Sequence, residues 1–96
     1  MRPSQLLEAN RVAVREIALR HRVRNVRVFG SVLRGNDAEG SDLDVLVEPT
    51  GDTTLMDIAA IQVELEQLLG ISVDVLTPNA LPDKFRSQVL SEAILV

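Results

Sequence analysis

Phe29-Gly30-Ser31-Val32-Leu33-Arg34-Gly35 is followed, after a short polar loop, by Ser41-Asp42-Leu43-Asp44-Val45-Leu46-Val47. The second stretch alternates, so Leu43, Val45 and Val47 point into a core while Asp42 and Asp44 share the opposite face of a strand. The first stretch ends a strand at Gly30-Ser31 and turns into a short helix carrying Val32 to Arg34. Outward from this pair, Arg24–Phe29 alternates as a strand with one mixed face. Asp42–Glu48 is the clearest strand, ended by Pro49 and Gly51.

Thr54-Leu55-Met56-Asp57 has capping-box spacing, with Asp where Glu is usual. The helix it opens places Leu55, Ile58, Ile61, Gln62, Leu65, Leu68 and Leu69 on one stripe, and Gly70 suits its end. Ile71–Thr77 reads as a second strong strand. There Asp74 shares a face with Ser72 and Leu76, while Val73 and Val75 face inward. Pro78 and Pro82 punctuate a turn before a last helix built on Phe85, Val89, Leu90 and Ala93. At the other end, Ser4 caps a first helix running to about His21, with Leu7, Val14, Ile17 and Ala18 on one face. The order α-β-α-β-α-β-α predicts an α/β fold: a small mixed sheet flanked by helices.

Ninety-six residues predict a single domain over 1–96, with an aliphatic core because Phe29 and Phe85 are the only aromatics. The absence of cysteine removes disulfides and thiolate metal sites, and suits a reducing cytosol. No stretch reads as a signal peptide or a membrane span, so a soluble cytoplasmic protein is expected. The net charge of −4 conceals an asymmetry: eight of the ten basic residues, all arginines, lie in Met1–Arg34. An acidic chain argues against sequence-blind nucleic-acid binding, which rests on neutralising phosphates. The arginine-rich third is either a solvated helix face or a surface for an anionic partner.

Two carboxylates two residues apart on a strand lie about 7 Å apart at their Cα atoms and can converge on one metal or bracket two. If the strand carrying Asp74 neighbours that of Asp42 and Asp44, the three acids gather. Oxygen ligands without histidine or cysteine favour magnesium or manganese. Gly30 lets the backbone approach a ligand closely, and the following N–H groups open a helical turn that suits phosphate. Ser31 adds a hydroxyl donor, and Arg34 reaches the same anion from one turn on. Together these residues would hold a nucleoside triphosphate, with Asp74 ligating a second metal or taking the proton of an attacking hydroxyl. His21, the sole histidine, is expected at a helix C-terminus, and Glu64 and Glu66 on the solvated side of the middle helix.

Val28-Phe29-Gly30-Ser31, ten intervening residues and Asp42-Leu43-Asp44 resemble the signature of the nucleotidyltransferase superfamily that includes DNA polymerase beta and kanamycin nucleotidyltransferase. The chain is most similar to the minimal nucleotidyltransferases, found beside HEPN-domain proteins, from Val26 to about Val96. That resemblance implies triphosphate binding by Gly30 and Ser31, magnesium held by Asp42 and Asp44, and Asp74 as third catalytic acid. It also implies an antitoxin that transfers AMP from ATP to a tyrosine of a HEPN ribonuclease toxin, in a hetero-oligomer with it. Two other readings compete with it: an antitoxin that masks its toxin by contact alone, and a nucleotidyltransferase for a small-molecule or RNA hydroxyl. A non-catalytic binder has no need of three gathered acids, and the scarcity of aromatic stacking surface counts against RNA.

Overall fold

In the computed structural model, which describes Met1–Val96, the strands β1 (Val23–Phe29), β2 (Leu43–Pro49), β3 (Val73–Leu76) and β4 (Ile94–Leu95) form one mixed sheet ordered β3-β2-β1-β4. β1 runs antiparallel to both β2 and β4, whereas β2 and β3 are parallel. Parallel neighbours need a long crossover. Helix α4 (Leu55–Leu69) supplies it.

Helices α1 (Pro3–Ala9) and α2 (Arg11–Leu19) precede the sheet, the single turn α3 (Ser31–Arg34) joins β1 to β2, and α5 (Asp83–Glu92) leads into β4. A 3₁₀ turn at Pro78–Ala80 precedes α5. α2 and α4 pack on β1 and β3 and on each other. Between them and the sheet lies an entirely aliphatic core that includes Val14, Ile17, Val26, Val28, Val45, Val47, Ile61, Leu65 and Val73. Removing this surface from water drives the collapse, at about 25 cal/mol per Å². The opposite sheet face carries the acids. It is only partly covered, by the segment around Leu81, and Leu46 beneath is 0% exposed.

The expected first helix is two helices. Asn10, with φ −128° and ψ 20°, ends α1 and begins α2. Its side-chain amide donates to the Leu6 carbonyl at 2.8 Å. Asparagine competes in this way for backbone groups and favours helix ends over interiors. Nor does Ser4 cap α1: Arg2 is the N-cap and Pro3 the first helical residue, the position where a missing N–H costs nothing. The helical stripe of α4 is narrower than the sequence suggests. Ile61, Leu65 and Leu69 are buried, whereas Leu55 is 88% exposed and Leu68 also reaches solvent. The capping box is formed as expected, with the Asp57 N–H donating to the Thr54 hydroxyl and the Thr54 N–H donating to the Asp57 carboxylate.

α5 buries none of its residues, and Phe85 is half exposed rather than a core residue. His21 and Glu64 are not isolated surface groups: His21 Nε2 lies 2.5 Å from the Glu64 carboxylate, joining the end of α2 to α4. Glu66 accepts from the Val73 N–H at 3.1 Å, fixing the entry into β3. No helix is long and apolar enough to cross a membrane.

Candidate active site

Gly30 stands where β1 ends and α3 begins, with φ 78° and ψ −147°. This corner of backbone space belongs almost entirely to glycine. A second constraint acts on the same residue. A Cβ built there would fall well inside van der Waals contact of Asp44 Oδ2. The glycine therefore permits both the turn and the approach of the Asp44 carboxylate to the backbone. α3 follows with Ser31 as its first residue, so its leading N–H groups have no intrahelical acceptor. Gly35, left-handed at φ 75°, closes the turn, leaving Arg34 exposed in its last position.

Register brings the acids together. Asp44 is the partner of Phe29 across the antiparallel pair and of Asp74 across the parallel pair. Asp42 precedes β2 by one residue and is exposed, as is Asp74, while Asp44 is half-buried. Burial pushes the Asp44 carboxyl above the ordinary carboxylate range, and the charges of Asp74 and then Asp42 push it further. No three carboxylate or imidazole groups close into a preformed ligand cage. Asp44 and Asp74 stand side by side, with Asp42 within their field. Oxygen donors of this kind suit a hard divalent cation, whose charge would offset the burial and the neighbouring acids that raise the Asp44 pKa.

The polar loop between Gly35 and Ser41 is tied down by Asp37. Asp37 is 5% exposed, and its Oδ2 accepts the Ser4 N–H in the first turn of α1 at 2.8 Å. That bond, with the Arg2 charge assisting, holds its carboxyl below the usual range. The anchor fixes the segment linking the Gly30-Ser31 turn to the Asp42-Asp44 pair. Only the tertiary structure reveals it, because Ser4 and Asp37 lie 33 residues apart.

The nucleotidyltransferase domain family matches residues 11–96, from α2 to the end of the chain. The chain belongs to that family. This nucleotidyltransferase is 40% identical over 78 residues, 81% of its length and 84% of the relative's, to MJ0435 of Methanocaldococcus jannaschii, named as a protein adenylyltransferase. It is 35% identical over 91 residues, 95% of its length and 89% of the relative's, to the protein adenylyltransferase MntA of Thermococcus cleftensis. A solved structure described as a minimal nucleotidyltransferase superposes with a TM-score of 0.85 at 45% identity, covering 97% of this chain and 95% of that one. A toxin–antitoxin structure with AMP-PNP shares the fold, with a TM-score of 0.72 at 17% identity over 90% of this chain and 69% of that one. The mixed sheet flanked by helices is that of the family, and the chain is a nucleotidyltransferase.

Proposed function

We propose that this nucleotidyltransferase moves AMP from ATP to a tyrosine hydroxyl of a HEPN ribonuclease toxin and thereby acts as its antitoxin. The observation that carries the reading is the row formed by Gly30, Asp44 and Asp74, with Asp44 pressed against a glycine that must lack a side chain. Relatives named as protein adenylyltransferases support the acceptor class. The toxin–antitoxin structure of the same fold, with AMP-PNP, supports the partner and the nucleotide.

In this reading Ser31 and the N–H groups opening α3 bind the triphosphate, and Arg34 adds charge from the end of the same turn. Asp42 and Asp44 would hold magnesium, or manganese in its place, joined or not by Asp74. The chemistry such an ion would supply there is neutralisation of phosphate charge. The acceptor oxygen bonds to the α-phosphorus, and the bridging bond to the β-phosphate breaks, releasing pyrophosphate. Asp74, exposed at the sheet edge, would either receive the hydroxyl proton or share the metal. The cytoplasm, where ATP and such a toxin would both be found, is the compartment this role requires.

Incubation with α-labelled ATP, magnesium and the toxin tests this directly. Label is expected on the toxin, absent after chelation and absent with Asp44→Asn. Neutralisation of the toxin by Asp44→Asn with no label transferred would instead favour an antitoxin that works by contact alone.

A further inference from the structure

Both aromatic residues of the chain line one cavity. It encloses about 200 Å³ on the acid-bearing face of the sheet, between Phe29 and Leu76 of the strands and Leu81 and Phe85 beyond them. Gly30 and Arg34 line it too, so it is continuous with the phosphate-binding turn. The sheet register fixes its relation to the reacting centre. Phe29 is the direct partner of Asp44, and Leu76 lies two residues beyond Asp74 on the same strand face.

We infer that this cavity receives the base of the nucleoside triphosphate; the inference rests on the triphosphate reading of Gly30, Ser31 and Arg34. A nucleotide is charged at one end and planar and apolar at the other. The site matches that profile, with a glycine-serine turn and a guanidinium beside walls of phenylalanine and leucine. The volume is below the roughly 300–1,000 Å³ typical of pockets that hold a whole ligand, which suits one ring system with its phosphates outside. Phe85 is 50% exposed on a helix with no buried residue, so folding alone does not explain an aromatic there. Lys84 Nζ stands 5.7 Å from its ring centroid, placing a further cation beside the same wall. Gln88, also lining the cavity, carries the amide able to meet a base edge, and in this structure it spends that donor on Glu92.

Calorimetric titration of the whole chain with ATP and with inorganic tripolyphosphate, each with magnesium, separates the base from the phosphates. Phe85→Ala is expected to weaken ATP about tenfold, the scale of one lost stacking partner, and to leave tripolyphosphate unchanged. The unchanged tripolyphosphate affinity also reports that the variant is folded, and Phe85→Trp is expected to keep ATP affinity. Equal ATP affinity in the wild type and Phe85→Ala would overturn the inference while leaving the proposed activity intact, and would hand the cavity to the acceptor. Equal weakening of both ligands would assign Phe85 to the fold and overturn it as well. A wild type that binds neither ligand would remove the triphosphate reading and the base site with it.

Discussion

Gly30 carries two demands at once, a backbone conformation closed to side chains and a carboxylate where a Cβ would stand. Gly30→Ala is therefore expected to lose transfer activity and about 1–3 kcal/mol of stability, read by denaturant unfolding beside a label-transfer assay. Asp44 behaves in the opposite way. Its charge is opposed by burial, by Asp74 and by Asp42, so Asp44→Asn is expected to raise the melting temperature of the metal-free protein while abolishing transfer. An inactive variant that is also less stable would contradict the crowding described for Asp44. Asp37 and Asp57 have lowered pKa values, set mainly by the Ser4 and Thr54 N–H groups respectively. A folded pKa below the unfolded one adds stability above the ordinary value of 3.8 and loses it as pH falls through the folded value. The double variant Asp37→Ala/Asp57→Ala should thus cost stability at neutral pH, with the cost shrinking below 3.8. The faces of Asp44 and Asp74 were legible in the sequence because strand alternation is local and repeats every two residues. That their strands are neighbours in register was only a condition there, and the sheet pairing supplies it. The Asp37–Ser4 and His21–Glu64 contacts were not legible, since each joins residues more than 30 positions apart and has no local signature.

Among the elements, legibility followed burial. β2 and β3 announced themselves by apolar residues alternating with acids, bounded by turn chemistry, and the Thr54 capping box and Gly70 marked both ends of α4. β4 went unseen: two residues become a strand only by pairing with Arg27 and Val28. α5 has the apolar spacing of a core helix yet buries nothing, because periodicity reports a face and not what covers it. Hydrogen exchange should separate these helices. Amides of α4 around Ile61 and Leu65 are expected among the most protected and those of α5 among the least; similar protection in the two would contradict the described packing. Thr54→Ala should cost about 1 kcal/mol through the lost cap, measured by chemical denaturation.

For the molecule as a whole, function follows from leaving one sheet face incompletely covered. Helices α2 and α4 bury the other face in an aliphatic core, which holds the strands in the register that sets Asp44 beside Asp74. The partly covered face then presents acids, glycine turn and aromatic cavity to whatever docks there. The proposed reaction is AMP transfer by the Gly30–Asp44–Asp74 row to a toxin tyrosine. The most direct measurement is the intact mass of a HEPN toxin incubated with ATP, magnesium and either the wild type or Asp44→Asn. The toxin is expected to gain the mass of AMP with the wild type alone, on a peptide containing tyrosine. An unchanged mass in both mixtures, with the two proteins tightly associated, would contradict it.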